Sequence, residues 1–257
     1  MANMNMIQSL NSALDIMLER DETVLMFGED IGYFGGVFRV TDGLQAKHGV
    51  HRVFDSPLAE GGLAAIAFGM GLNGLRPIVE IQFSDYIFPA YDQIVNEIAK
   101  LRHRSGGEFW TPVVVRAPAG GGIRGGHHHS QSPESQFTHT PGLNVVYCSN
   151  PYNAKGLLIS AIESNDPIIF LEPKRCYRGP FYGDPHHVPT WKDQPDGEVP
   201  EGYYNIPLGE ARVAEEGSDC TVISWGAMVH VAEQAIRDSG VSCDLIDLQS
   251  LVPWDRD

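Results

Sequence analysis

The sequence has few cysteines, and they are far apart along the chain. The four, Cys148, Cys176, Cys220 and Cys243, show no Cys-x-x-Cys spacing. Neither a disulfide framework nor a thiolate zinc site is therefore expected. We interpret all four as small buried apolar residues in a reducing compartment.

Long apolar runs are also missing. No stretch approaches the roughly 20 apolar residues of a membrane span, and the N-terminal residues lack the basic leader and apolar segment of a signal peptide. We therefore expect no membrane partner. The expected location is the cytoplasm, or the mitochondrial matrix if the sequence is a mature eukaryotic chain.

Basic side chains are scarce, since 18 lysines and arginines face 33 aspartates and glutamates, for a formal net charge of −15. This charge repels a phosphate backbone and argues against a nucleic-acid partner. The 42% of hydrophobic and 20% of charged residues are typical of a folded globular chain. A length of 257 residues predicts one complete domain and part of a second.

Apolar patterning predicts alternating strands and helices. An amphipathic helix ending before Asp21 is followed by the strand TVLMFG, which ends at Glu29 and Asp30. Further helices are predicted at 60–74, 87–105 and 152–163, and further strands begin at residues 77, 112, 143 and 167. This order predicts an α/β fold with a mostly parallel sheet and helices on both faces. Ligands bind such sheets at the carboxyl ends of the strands.

Prolines and glycines interrupt this pattern after residue 178. We therefore divide the chain into an α/β domain at 1–180, a linker at 181–207 and the beginning of a second α/β domain at 208–257. The last part contains one β-α-β unit, which cannot close a core by itself. We expect the natural chain to continue beyond Asp257, or this part to dock on another surface.

Two glycine-rich strings, GMGLNG at 69–74 and GGGIRG at 120–125, match the dinucleotide-binding spacing but lack its strand-to-helix context. The second opens a long loop that contains three adjacent histidines, His127 to His129. On extended backbone, neighbouring side chains point to opposite faces, which disfavours a zinc site. One of these imidazoles is expected to transfer a proton. Glu60, taken alone, is a carboxylate at a helix N-terminus.

Six longer strings resemble one known family: EDIGYFGGVFRVTDGL (29–44), RVFDSPLAEGG (52–62), EIQFSDYIFPAYDQIVNEIAKLRHRSGG (80–107), HSQSPES (129–135), SNPYNAKGLL (149–158) and FLEPKRCY (170–177). They resemble the β subunit of the thiamine-diphosphate-dependent decarboxylase component of 2-oxoacid dehydrogenase complexes. The resemblance covers essentially the whole chain and is stronger to the branched-chain type than to the pyruvate type.

This resemblance implies an enzyme that decarboxylates branched-chain 2-oxoacids on thiamine diphosphate. It would then reductively acylate the lipoyl group of an acyltransferase core. The sequence has no Gly-Asp-Gly stretch of the kind that precedes the diphosphate and magnesium ligands. The resemblance therefore implies that an α subunit supplies these ligands, in a heterotetramer of two α and two β chains.

The resemblance also assigns candidate site residues. Glu60 matches the glutamate that shares a proton with the aminopyrimidine ring, which an apolar pocket would favour. Leu58, Gln82 and Tyr86 match positions that line the pyrimidine pocket. His129 matches a histidine that faces the thiazolium ring and the incoming lipoyl group. The neighbours of His129 leave open which of the three imidazoles reaches the substrate.

A potassium site built from backbone carbonyls is a further implication of the resemblance. By register its ligands are Thr111, Val113, Ala161, Ser164 and Asp166. Carbonyl ligation leaves little trace in a sequence, because any residue type supplies the oxygen.

Two other functions remain open. A β subunit of pyruvate or acetoin dehydrogenase would share the cofactor chemistry but act on another substrate. A non-catalytic module that only stabilises an α partner belongs to a different class, and the matching contexts of Glu60 and His129 argue against it.

Overall fold

The computed structural model describes residues 1–184, 186–189 and 191–257. The strands are β1 (Ala2–Met4), β2 (Val24–Gly28), β3 (Val53–Asp55), β4 (Arg76–Glu80), β5 (Val114–Ala119), β6 (Asn144–Tyr147), β7 (Ile168–Pro173), β8 (Gly197–Val199), β9 (Arg212–Glu215), β10 (Cys220–Ser224), β11 (Cys243–Asp247) and β12 (Ser250–Val252). The α-helices are α1 (Met6–Arg20), α2 (Leu44–His48), α3 (Glu60–Leu72), α4 (Leu101–Arg104), α5 (Glu134–Thr138), α6 (Pro151–Glu163) and α7 (Ala227–Ser239).

The main sheet has seven strands in the order β12-β6-β7-β5-β4-β2-β3. All neighbours are parallel except β12, which runs antiparallel to β6. Strands β2, β5 and β7 are buried along their whole length, as expected for parallel strands covered on both faces. The predicted α/β fold is confirmed.

Helices cover both faces of this sheet. Helix α1 begins with a capping box, in which the side chains of Asn5 and Gln8 bond each other's backbone amides at 2.9 and 3.0 Å. It buries Leu10 and Leu14 completely and packs against α6. Helix α3 covers the opposite face, where Leu63 belongs to the second apolar core. Within the described ranges, no helix is both long and apolar enough to cross a membrane.

The continuous helix expected at 87–105 is wrong. The segment forms a 3-10 turn at Phe88–Ala90, a π-helical stretch at Gln93–Ile98 and the short α4. Pro89 has no amide hydrogen to donate, and the hydroxyl of Thr111 donates to the carbonyl of Ile98 at 3.0 Å, at the end of the π-helical stretch. Helical periodicity cannot distinguish these forms, because the inward side chains recur at similar spacing.

The segment expected to lack regular structure contains β8, which pairs antiparallel with β1. The ammonium of Lys155 donates to the carbonyls of Pro200 and Glu201 at 2.6 and 3.0 Å, directly after this strand. A three-residue strand is too short to show an alternating pattern. Pro185 and Thr190, which also belong to this segment, lie outside the described residues.

The C-terminal part forms a three-stranded sheet in the order β10-β11-β9, with α7 beside it. The last strand of the predicted β-α-β unit, VSCDLIDLQSL, is divided into β11 and β12, and β12 joins the main sheet, so the prediction of a single unit in its own sheet is wrong there. At the break, Asp247 is fully buried, and it accepts hydrogen bonds from Ser149 at 2.5 Å and Asn153 at 3.2 Å. This buried contact attaches the C-terminal part to the main sheet.

A buried charged cluster joins three strands of the main sheet. Arg116 of β5 donates twice to Glu172 of β7, at 2.7 and 2.9 Å, and also to Glu80 of β4. The hydroxyl of Tyr177 donates to Glu172 at 2.6 Å. All four residues are at most 4% exposed. Burial raises the pKa of Glu80, because removal from water disfavours the charged carboxylate.

We expect Arg116→Met to reduce the free energy of unfolding by about 3–5 kcal/mol, because Glu80 and Glu172 would remain buried without their cation. The measurement is urea unfolding of the two proteins in the same state of assembly. Arg104→Met is the matched control, since Arg104 forms an exposed ion pair with Glu97 at 2.8 Å and should contribute little. Equal losses for the two variants would contradict a special role for the buried cluster.

Candidate active site

The carboxyl ends of β2 and β4 lie close together and present polar side chains at one edge of the sheet. A Cβ atom on Gly28 would lie only 2.5 Å from the carbonyl oxygen of Glu80, so the close approach of the two strands requires glycine there. Glu29 and Asp30 follow β2 directly. The amide of Gln82, just after β4, donates to the Asp30 carboxylate at 3.1 Å.

Glu29 is 3% exposed, and neither of its carboxylate oxygens has a hydrogen-bond partner among the described residues. Burial raises the pKa of this carboxyl to about 7, and the charges of Glu60 and Asp30 add to the shift. Glu60 is therefore close enough for its charge to act on Glu29. The sequence placed Glu29 and Asp30 at a ligand-binding edge but gave them no role.

Glu60 is the first residue of α3 and is partly exposed. The preceding residue, Ala59, supplies no side-chain cap to α3. Glu60 is the acidic residue of the first turn of this helix. Leu58, expected to line the pyrimidine pocket, is 79% exposed. In this chain alone, the predicted pocket around Glu60 is therefore open on the side of Leu58.

His129 is held by three neighbours. Its ring lies perpendicular to Phe83, with 4.5 Å between the ring centroids. Its Nδ1 is 2.8 Å from the carbonyl of Gly125, and its Nε2 is 2.8 Å from the hydroxyl of Tyr86. A carbonyl can only accept, so we assign the proton of the neutral ring to Nδ1. Nε2 then accepts a hydrogen bond from Tyr86.

The three adjacent histidines form a 3-10 turn, so the extended backbone expected there is wrong. His127 and His128 are exposed and their rings contact each other, with centroids 3.8 Å apart. Only His129 of the three contacts Phe83 and Tyr86 among the described residues. Within the same residues, no group of three or more His, Cys, Asp or Glu side chains could hold a metal ion.

Two residues missed by the sequence analysis hold the segment that follows His129. One carboxylate oxygen of Asp85 accepts hydrogen bonds from the amides of Ser130 and Gln131, at 3.1 and 3.0 Å. The hydroxyl of Ser84 donates to the carbonyl of Gln131 at 3.1 Å. The available signal was position, because Ser84 and Asp85 directly precede Tyr86 after β4.

The second carboxylate oxygen of Asp85 is buried and has no hydrogen-bond partner among the described residues. A buried cation lies near it, since the charge of Asp85 acts on Lys174. Burial lowers the pKa of Lys174 to about 8. The ammonium of Lys174 donates to the carbonyl of Pro118 at 3.2 Å.

The structure thus brings most of the predicted site residues to one edge of the sheet. Glu60 and Gln82 lie beside Glu29, while Tyr86 contacts His129. The predicted potassium ligands lie elsewhere, because they precede the first residues of β5 and β7 or end α6. They are at the amino ends of these strands, opposite the candidate site.

At the predicted potassium position, protein donors already occupy several carbonyls. Arg76 donates through one guanidinium nitrogen to the carbonyls of Ile162, Glu163 and Ser164, at 3.1, 3.2 and 2.9 Å. The carbonyl of Val113 accepts from an amide of β7 at 2.9 Å. Carbonyl oxygens can accept twice, but a potassium ion on Ser164 would share its ligand with a guanidinium. Of the predicted ligands, Val113 and Ser164 therefore already accept hydrogen bonds from protein donors.

Comparisons with known proteins agree on one family. The sequence matches the transketolase pyrimidine-binding domain over residues 2–180 and the transketolase C-terminal domain over residues 209–257. It is 56% identical to the 2-oxoisovalerate dehydrogenase subunit beta of Pseudomonas aeruginosa, over 98% of this chain and 73% of that protein.

Further similar proteins include a mitochondrial subunit, a pyruvate dehydrogenase subunit and a solved transketolase. The mitochondrial 2-oxoisovalerate dehydrogenase subunit beta of Dictyostelium discoideum is 51% identical, over 98% of this chain and 65% of that protein. The pyruvate dehydrogenase E1 component subunit beta of Acholeplasma laidlawii is 46% identical, over 100% and 75%. A solved split gene transketolase, described as an inactive beta4 tetramer, has the same fold, with a TM-score of 0.72 at 19% identity, over 98% of this chain and 73% of that one.

We expect the stability of the protein to fall as pH rises from about 4.5 to about 7, in part because of Glu29. Its pKa is higher in the folded chain than its ordinary value of 4.5, so ionisation in this range costs more in the folded than in the unfolded state. Glu29→Gln should remove this part of the decrease. The measurement is urea unfolding at about pH 5 and about pH 8.

Glu22→Gln serves as the control for this prediction, because Glu22 is exposed and precedes β2 at the opposite edge of the sheet. It should leave the pH dependence as in the wild type. If the free energy of unfolding changes equally with pH in Glu29→Gln and in the wild type, the raised pKa of Glu29 is contradicted.

Proposed function

This chain belongs to the family of 2-oxoisovalerate dehydrogenase β subunits, and we propose that it acts with an α subunit. It matches a transketolase pyrimidine-binding domain followed by a transketolase C-terminal domain. Together the two subunits would decarboxylate branched-chain 2-oxoacids on thiamine diphosphate and acylate the lipoyl group of an acyltransferase core. The observation that carries the proposal is the grouping of Glu29, Glu60 and Gln82 with the Tyr86–His129 pair at one sheet edge.

The residues at this edge fit the pyrimidine half of the cofactor. Thiamine diphosphate, when bound, supplies an electron sink for decarboxylation. Glu60 would hold a proton between its carboxylate and a ring nitrogen of the pyrimidine. Because the pKa of Glu29 is about 7, Glu29 is mostly protonated below that pH and adds no full negative charge beside Glu60. Gln82, held by Asp30, would form the adjacent wall.

His129 would transfer a proton on the substrate side. Its Nε2 lone pair accepts from Tyr86 in the neutral form, and the tyrosine oxygen can accept once Nε2 carries a proton. Tyr86 was expected to line the pyrimidine pocket, and the structure adds this contact with His129. The choice of His129 over His127 and His128 is supported by its ring contacts with Phe83 and Tyr86.

The α subunit would complete the site. Leu58 is 79% exposed, Tyr33 is 93% exposed and Phe34 is 53% exposed, and the first of them lies two residues from Glu60. A partner covering Leu58 would remove water from the carboxylate. We propose that this partner supplies the magnesium and diphosphate ligands, in a heterotetramer of two α and two β chains.

The finer assignments have different support. The P. aeruginosa and D. discoideum relatives favour a branched-chain substrate, and the 46% identity to a pyruvate dehydrogenase subunit keeps pyruvate as the second candidate. Bacterial and mitochondrial relatives match a cytoplasmic or matrix location.

We propose the division into domains at 1–180 and 208–257, joined by a linker at 181–207. The potassium site stays a prediction, and the hydrogen bond from Arg76 to the carbonyl of Ser164 argues against one of its five ligands.

The direct test is Glu60→Gln in the complex with the α subunit. Glutamine keeps the volume and hydrogen bonds but cannot hold the shared proton. We expect turnover of a branched-chain 2-oxoacid to fall about 10²–10⁴-fold while cofactor affinity changes little. Exchange of the thiazolium proton with deuterium, followed by NMR, reports the step itself.

Glu22→Gln again supplies the control, because it makes the same chemical change at an exposed position on the opposite edge. It should keep wild-type exchange and turnover. Wild-type exchange rates in Glu60→Gln would show that Glu60 only stabilises the helix N-terminus.

Asp85 should act as a positioning residue for His129. Asp85→Ala removes the acceptor of the Ser130 and Gln131 amides, so we expect kcat to fall about 10–100-fold with little change in KM for the 2-oxoacid. Asp85→Asn keeps an acceptor oxygen and should recover most of the activity. Loss of melting temperature with unchanged kcat in Asp85→Ala would leave Asp85 only a structural role.

A further inference from the structure

Two cysteines far apart in the sequence meet at the edge of the C-terminal sheet. Cys220 and Cys243 are the first residues of β10 and β11, and they are direct partners in the parallel register of these strands. Their sulfur atoms are 3.0 Å apart, closer than ordinary contact between two sulfurs. The expectation that all four cysteines are isolated and buried is therefore wrong, because Cys220 is exposed and Cys243 touches it.

The backbone suits a covalent bond between them. Neighbouring strands lie about 4.8 Å apart, which falls within the range of Cα separations seen in disulfides, about 4.4–6.8 Å. The sulfurs are already on the same side of the sheet. Closing the bond requires them to approach by about 1 Å, toward the S–S length of about 2.05 Å.

We propose that Cys220 and Cys243 are a modification site, at which an intramolecular disulfide forms by exchange with a low-molecular-weight disulfide such as oxidised glutathione. In the first step the Cys220 thiolate attacks the reagent, forming a mixed disulfide and releasing one reduced thiol. In the second step the Cys243 thiolate attacks the Cys220 sulfur and releases the second reduced thiol. The two cysteines lose two electrons and two protons, which the reagent's two sulfurs gain.

The order of these steps follows from access and acidity. Cys220 is exposed and meets the reagent first, whereas Cys243 is only 6% exposed. The hydrogen bond with Cys220 raises the pKa of the Cys243 thiol to about 11, which keeps Cys243 protonated at the start. Once Cys220 carries the reagent, Cys243 loses that partner and is easier to deprotonate.

The C-terminal part has little other core to hold it together. Between residues 209 and 257, the only apolar side chains that are buried are Val229, Cys243 and Leu245. A disulfide between Cys220 and Cys243 would close a loop that contains the whole of α7. Such a loop stabilises chiefly by restricting the unfolded chain, which matters most where the core is thin.

The site is separate from the candidate active site. The cysteines begin β10 and β11, whereas the contacts with the N-terminal part are made at the other ends of these strands. There Trp225 donates to Glu134 of α5, and Asp247, the last residue of β11, accepts from Ser149 after β6. The inference therefore does not depend on the proposed function.

The test uses the full chain, incubated with oxidised glutathione and then freed of reagent. We expect two of its four thiols to be lost, as titrated under denaturing conditions. The mass of the chain should fall by the mass of two hydrogens. Peptide mapping should join the peptides of Cys220 and Cys243. The melting temperature should rise by about 5 °C, and dithiothreitol should reverse every change.

Cys220→Ser and Cys243→Ser are the matched controls, and neither should form an internal bond or gain melting temperature. Cys148 and Cys176 are buried and serve as internal controls, so both should remain free. Four free thiols after treatment would overturn the proposal. So would a stable glutathione adduct on Cys220 alone, or a loss of two thiols in the Cys220→Ser variant.

Discussion

The buried pairing of Arg116 with Glu80 and Glu172 is the constraint on which the candidate site depends. It joins three neighbouring strands near their carboxyl ends, and each strand leads directly into a segment of the site. β4 continues to Gln82 and the turn that holds His129, β5 continues into the glycine-rich loop, and β7 continues to Lys174. An unpaired charge here would cost far more than an exposed one, because the low-dielectric interior offers it no water. The relative positions of the three segments are therefore fixed together.

Above this cluster, negative charge accumulates at the sheet edge. Glu29, Asp30, Glu60 and Asp85 are all acidic, and two of them are buried. Part of this negative charge is reduced, because the pKa of Glu29 is raised and the buried ammonium of Lys174 lies near Asp85. The rest is open to solvent beside the exposed Leu58. This open, acidic edge is consistent with the proposal that a partner subunit completes the site, since a ligand pocket is usually more enclosed.

The sequence predicted the fold well where patterns are long. Helix α1 and the buried strands β2, β5 and β7 carry apolar runs that few other structures produce. The errors lie where tertiary contacts determine the strand pairing or the type of helix. Strand β8 exists because β1 offers it an edge, and β12 leaves its own sheet because β6 offers another. The segment 87–105 keeps helical spacing while Pro89 and Thr111 change its hydrogen bonding. No local pattern records such partners.

The site shows the same division. The family-like strings predict Glu60 and His129 as site residues, but they do not predict the contacts around them. The choice among three histidines illustrates why. Alternation on extended backbone would have placed His127 and His129 on one side, sharing one environment. A 3-10 turn instead separates them, because Asp85 and Ser84 bind the residues that follow and draw that end of the turn toward β4. His129 then meets Phe83 and Tyr86, while its two neighbours contact each other in solvent. The selection is made by residues about 45 positions away, which only the folded chain brings together.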